Sequence, residues 1–161
     1  MKKPVILLLV FIFCLVSFSS SSAQQRRDSV FVEVMGSGLM ASIHYEHLFT
    51  ENLGLNAGVG GYCAIMAGGI SLPVTVTYLI GEGNHKLELG AGAVYASIDA
   101  DFLDEDEDPI FNLDDDTLLG TGFLGYRYVS DAGFLFRAGF TPFFYDGNFI
   151  PYGGLSLGYS F

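Results

Sequence analysis

Two groups of residues in this chain have types and spacings that could do chemistry. The first is an acidic run. Asp99, Asp101, Asp104, Asp106, Asp108, Asp114, Asp115 and Asp116, with Glu105 and Glu107, make up ten of the 18 acidic side chains. Such a run offers hard oxygen ligands to a divalent cation. Asp104-x-Asp106-x-Asp108 matches the first half of an EF-hand loop. Pro109 stands where that loop needs a glycine, and Asp115 where it needs a bidentate glutamate, so the dedicated calcium loop is excluded. Solvated charge is the default reading of such a run, and weak cation binding the alternative.

The second group is Ser42, His44 and Glu46, at alternate positions of a segment whose other residues include Ala41, Ile43 and Tyr45. In an extended chain these three side chains share one face, so His44 and Glu46 form the one acid–base pair worth naming, with a hydroxyl beside it. An interior hydrogen-bond cluster accounts for them equally well. Four further charges, Glu33, Glu88, Arg127 and Arg137, each stand on the polar parity of an otherwise apolar alternation. No catalytic residue, cofactor or dedicated metal site is expected. Beyond residue 23 the basic residues are only Arg26, Arg27, Lys86, Arg127 and Arg137, with no basic patch, which argues against nucleic acid. The glycines recur at strand spacing, not in a phosphate-binding loop.

The elements that must position these residues are strands. Eight segments alternate with a period of two: Val30 to Gly36, Met40 to Phe49, Leu53 to Gly61, Ile70 to Ile80, Lys86 to Ser97, Leu118 to Val129, Phe134 to Phe143 and Tyr152 to Phe161. Phe134, Phe136, Ala138 and Phe140 share one face while Arg137, Gly139 and Thr141 share the other. Leu155, Leu157, Tyr159 and Phe161 likewise oppose Gly154, Ser156, Gly158 and Ser160. The sixth segment is least regular, with Gly120 and Gly122 on the apolar parity and Phe123 on the polar one. Thr50 to Asn52, Gly81 to Asn84 and Ser130 to Gly133 read as tight turns. They alternate with Gly36 to Gly38, Tyr62 to Gly69, the acidic run and Tyr145 to Pro151, which read as loops.

No charged side chain occurs from Leu53 to Gly81, a composition that a water-exposed surface tolerates poorly. A lipocalin-like soluble barrel would need a charged exterior, and there are too few charges to coat one. A membrane-crossing helix over the same stretch is opposed by Gly60-Gly61, Gly68-Gly69, Pro73 and the Val74-Thr75-Val76-Thr77 alternation. At the amino terminus, Lys2 and Lys3, the apolar run Val5 to Val16 and Ser21-Ser22-Ala23 form a secretory signal over residues 1–23. Phe13 before Cys14 argues against lipidation there, and Cys63 is then the lone thiol of a single domain, residues 24–161.

With its leader, eight alternating segments, short turns and terminal Leu157-Gly158-Tyr159-Ser160-Phe161, the chain resembles the small outer-membrane β-barrel family of the OmpA and OmpX membrane-domain type. The resemblance implies an all-β fold, an eight-stranded antiparallel up-and-down transmembrane barrel with both termini in the periplasm of a Gram-negative bacterium. It implies outer-membrane lipid and lipopolysaccharide as surroundings; weak cation binding by the acidic run, the alternative to solvated charge, would bridge to lipopolysaccharide phosphates. It also implies insertion by the barrel-assembly machinery, with Leu157, Tyr159 and Phe161 as the assembly signal. The inward parity would gather Glu33, His44, Glu46, Glu88, Arg127 and Arg137 into a polar plug. The role expected is structural or interactional at the cell surface, through an extracellular partner that the sequence leaves open. A narrow channel and an outer-leaflet lipid-modifying enzyme are the alternatives. Against the enzyme, His44, His47 and His85 all fall toward the periplasmic rim.

Overall fold

A computed structural model describes residues 26–61, 68–99 and 116–161. The expected leader, Cys63 and the acidic residues from Asp101 to Asp115 lie outside the described residues. Ten strands form one antiparallel sheet: β1 Asp28–Met35, β2 Ala41–Leu48, β3 Leu53–Gly61, β4 Gly68–Ile80, β5 His85–Asp99, β6 Asp116–Val129, β7 Phe134–Phe140, β8 Phe143–Tyr145, β9 Asn148–Ile150 and β10 Gly153–Ser160. Each of β1 to β6 pairs with the next, and β10 joins β7 to β1, so these eight strands close into a ring. β8 pairs with β6 in phase with β7, and β9 with β8 in phase with β10. The molecule is therefore a closed barrel of eight staves, two of them carrying short extensions.

Those extensions correct the sequence reading of Tyr145 to Pro151 as a loop. The chain turns only at Asp146 and Gly147, with φ of 46° and 77°, and Tyr145 already pairs with Asn148. Positive φ at both central residues is what a tight hairpin with right-twisted strands requires, and Asp-Gly supplies it. Pro142 and Pro151 interrupt the ladder because proline has no N–H to donate. Backbone bonds beside them, Thr141 N to Tyr152 O at 2.8 Å and Gly122 N to Pro142 O at 3.1 Å, keep the staves joined. The strands also take both ends of the acidic run, since β5 ends on Asp99 and β6 starts on Asp116.

The two faces of the wall are chemically inverted relative to a water-soluble barrel. Val32, Ile43, Val59, Val76, Leu124 and Leu157 are all exposed, whereas Glu33, His44, Glu46, Glu88, Arg127 and Arg137 are all buried. At the end of the barrel that carries the termini, Asp28 and Phe161 exchange backbone hydrogen bonds of 3.1 and 2.8 Å. Arg26 binds the carbonyls of Ser160 at 3.0 Å and Asp131 at 2.6 Å.

The other end, here the far end, is closed from inside. The 3-10 turn Gly36–Gly38 between β1 and β2 folds inward, and every residue from Gly36 to Leu39 is buried. Leu39 packs with Val94, Ala96, Leu119 and Phe143, flanked by Tyr145, Ile150 and Tyr152. The interior is thus layered, with polar groups at mid-height and an apolar cluster above them. The sequence pattern hides this cluster, because Val94, Ala96 and Leu119 stand on the parity that holds polar residues lower in the same staves.

Candidate functional site: the polar interior

Glu88 is the hub of the interior. From β5 its carboxylate accepts Arg127 Nε at 2.8 Å from β6, and Arg137 Nη2 and Nε at 2.5 and 3.0 Å from β7. Two N–H bonds from one guanidinium fix both position and angle, which a lysine could not do. Arg127 reaches on to β2, where Nη2 lies 2.6 Å from Glu46 Oε2 as an ion contact without hydrogen-bond alignment. Glu46 also accepts the Thr77 hydroxyl at 2.8 Å from β4. Cross-strand contacts of this kind hold five staves by their side chains as well as by their ladders.

Glu33 anchors a second node nearer the far end. It accepts Ser37 N at 3.0 Å and Ser37 Oγ at 2.8 Å from the inward turn, and Ser156 Oγ at 3.3 Å from β10. His44 Nε2 stands 3.2 Å away. The nearest nitrogen of Arg137, Nη1, is 4.0 Å away and has no hydrogen-bond partner among the described residues. Arg137 is instead sandwiched between the rings of Phe31 and Phe123, at 4.4 and 4.6 Å from their centroids. Such cation–π contacts let apolar rings share a charged interior. The anomalous inward parity of Phe123 thereby has a physical reason.

The pairing of His44 with Glu46 expected from the sequence is not formed. Glu46 is taken up across the sheet by Arg127 and Thr77, and both ring nitrogens of His44 are already engaged by Ser42, Asn56 and Glu33. His44 meets Glu33 of β1, and Glu46 turns to Arg127. Nor does His44 lie toward the terminal rim. It is paired with Phe31 and Gly58 at mid-stave, and stacks on the Phe31 ring at 5.0 Å and 4°.

Ser42 Oγ is 2.7 Å from His44 Nε2, and His44 Nδ1 is 3.0 Å from Asn56 Oδ1. That order of atoms could activate a hydroxyl, but it has no room for a substrate. Ser42, His44 and Asn56 are buried, and a Cβ placed on Gly38 would fall 2.0 Å from Ser42 Oγ, so the turn backbone sits against the hydroxyl. Ser37 and Phe31 are not singled out by the sequence for this interior, whereas Phe123 already stands on the polar parity. The parity of Phe31 with Glu33 was the available signal, and its apolar type concealed it.

The histidine ring needs a glycine beside it. A Cβ at Gly58 would lie 2.6 Å from His44 Nδ1. Gly58→Val is expected to displace the ring and cost about 1–3 kcal/mol by overpacking, read as a lower urea midpoint of the refolded protein.

The remaining sequence candidates are placed apart. His85 contacts the Tyr126 hydroxyl near the terminal end, and His47 Nδ1 lies 2.7 Å from Asp28 Oδ1. Asp116 accepts the Tyr95 hydroxyl at 2.6 Å. Among the described residues no group of three or more His, Cys, Asp or Glu could hold a metal ion. Leu157 and Tyr159 point outward from β10, level with Val32 and Val30.

No family model and no curated protein matches the sequence. Solved structures match it by fold. The N-terminal β-barrel domain of Pseudomonas aeruginosa OprF superposes with a TM-score of 0.65 at 15% identity, over 86% of this chain and 98% of that one. The fold is that of the small outer-membrane β-barrels. A de novo designed transmembrane β-barrel matches with a TM-score of 0.54 at 14% identity, over 88% of this chain and 100% of that one. The Yersinia pestis outer membrane protein Ail in a phospholipid bilayer nanodisc matches with a TM-score of 0.50 at 12% identity, covering 84% and 99%.

Proposed function

We propose that this chain is an outer-membrane barrel of a Gram-negative bacterium, exported by residues 1–23, with its termini in the periplasm and its far end at the cell surface. Its role is structural or interactional, without catalysis. The observation that carries this reading is the inverted wall: the outward side chains are hydrocarbon and aromatic, while the ionic groups are sealed inside. Hydrocarbon solvates that exterior at no cost, whereas water would have to cover a belt of exposed Val, Ile and Leu. The eight staves pair around the full ring, so none of them presents an open edge to lipid.

Leu157, Tyr159 and Phe161 are proposed as the segment read by the barrel-assembly machinery. Contact at the surface falls to the acidic segment 100–115, through cations to lipopolysaccharide phosphates or to an extracellular partner, and to the Asp146–Gly147 turn. The ionic centre argues against a conduit, since Glu88 with its two arginines and the apolar cluster above lie across the axis in series. Protease shaving of intact cells tests the topology. Cleavage within 100–115 that leaves the rest of the barrel intact is expected. Recovery of the protein in the soluble fraction after lysis without detergent would sink the reading.

A further inference from the structure

Counting the buried charges leaves the interior one positive charge short. Among the described residues, Glu33, Glu46 and Glu88 are at most 1% exposed, and only Arg127 and Arg137 are buried with them as permanent cations. Glu46 and Glu88 are matched by the two guanidiniums within 2.8 Å. Glu33 has no guanidinium nitrogen closer than 4.0 Å. Lys86, partly exposed where β5 begins, makes no ion pair among the described residues. β3, β4 and β10 face Glu33 and His44 with uncharged side chains only, so the missing charge must come from the pair itself. A carboxylate sealed from water without a counter-charge takes up a proton or acquires a cationic neighbour.

The neighbour at hand is His44. Its two ring nitrogens each face oxygen: Nδ1 faces Asn56 Oδ1 at 3.0 Å, and Nε2 faces Ser42 Oγ at 2.7 Å and Glu33 Oε2 at 3.2 Å. A ring that donates from both nitrogens carries two N–H groups and one positive charge.

The same carboxylate holds down the far end. Glu33 grips Ser37 through both its N–H and its hydroxyl. The turn is further held by Ser71 Oγ on Gly38 O at 2.9 Å and by the Tyr152 hydroxyl on Leu39 O at 2.8 Å. Met35 and Leu39 adopt φ of 61° and 72°, strained for residues with a side chain, so the turn keeps this shape only while its surroundings hold it.

We propose that the folded barrel retains one extra proton on the Glu33–His44 pair, and that this proton latches the inward turn over the far end. With the proton present, Glu33 stays buried as an acceptor for Ser37. Without it, the uncompensated carboxylate is drawn toward the water that the turn excludes, and the turn lifts.

The test is NMR on protein with ¹⁵N-labelled histidine, refolded into phospholipid nanodiscs near pH 7, where an unpaired imidazole is mostly neutral. His44 should show two protonated ring nitrogens. In E33Q, whose remaining buried charges balance, it should show one. Amide exchange supplies the second reading: protection of the Ser37 N–H should fall by about tenfold or more in H44Q, with that of Val32 and Ile43 unchanged. A neutral His44 ring in the wild type overturns the proposal, as does unaltered Ser37 protection in a folded H44Q. Should H44Q fail to fold, the wild type decides across an alkaline titration. Ser37 protection must then drop in step with the loss of the second ring proton, and a drop uncoupled from it also overturns the latch.

Discussion

Glu88→Ala is expected to destabilise the barrel by about 3–5 kcal/mol, the cost of leaving buried charges without their partner. Removing this one carboxylate deprives Arg127 and Arg137 together of three hydrogen bonds. Neither arginine can move into water, because both are buried behind the apolar wall. Against the usual domain stability of about 5–15 kcal/mol, the loss is large enough to show in two ways. The urea midpoint of the refolded protein should fall steeply, and the compact gel band of the unheated protein should convert to the unfolded position at a lower temperature. Glu88→Gln keeps the shape and one carbonyl acceptor, so it should recover part of the loss. If Glu88→Ala unfolds within about 1 kcal/mol of the wild type, the ionic centre is dispensable and hydrogen-bonded staves alone carry the fold.

Val32→Arg is expected to cost about 2–4 kcal/mol in a bilayer, the penalty for a cation on the lipid face near the midplane. Val32 is 49% exposed and paired with Ile43 on one side and Leu157 on the other. A new guanidinium there has neither water nor a carboxylate within reach. Val32→Ala provides the control, since it shortens the same side chain without adding charge. Refolding yield and urea midpoint in lipid vesicles measure both. Val32→Arg behaving like Val32→Ala would mean that water, not hydrocarbon, bathes the outer wall.

The two substitutions probe opposite sides of one wall, and they differ in how far the sequence announces them. Val32 faces outward because it alternates with Phe31 and Glu33 in a segment that also holds Val30 and Val34, which is visible in five consecutive residues. The place of Glu88 among three staves is not visible in this way. Its inward parity follows from Leu87 and Leu89, yet Arg127 and Arg137 are 39 and 49 residues away along the chain. Which of the inward carboxylates each arginine meets depends on the stagger between β5, β6 and β7, which no local pattern records. The pairing of His44 with Glu33 instead of Glu46 is the same case in miniature. The Asp146–Gly147 hairpin is different again, because its Asp-Gly dipeptide is itself a local turn signal.

The inward turn marks the limit most clearly. Gly36-Ser37-Gly38 is an ordinary loop composition, and nothing in it foretells that Leu39 would be 1% exposed inside the barrel. Its position is decided by Glu33, Ser71 and Tyr152, which belong to three different stretches of chain and converge only after the ring closes.

By itself, then, the sequence determined the two-residue period, the side of the wall each residue occupies and the all-β architecture, because strand geometry sends successive side chains to opposite faces whatever lies nearby. Only the tertiary structure decided the ionic partners, the sandwich of Arg137 between Phe31 and Phe123 and the sealed far end. These are contacts between staves, and their distances are set by the stagger at which the cylinder closes.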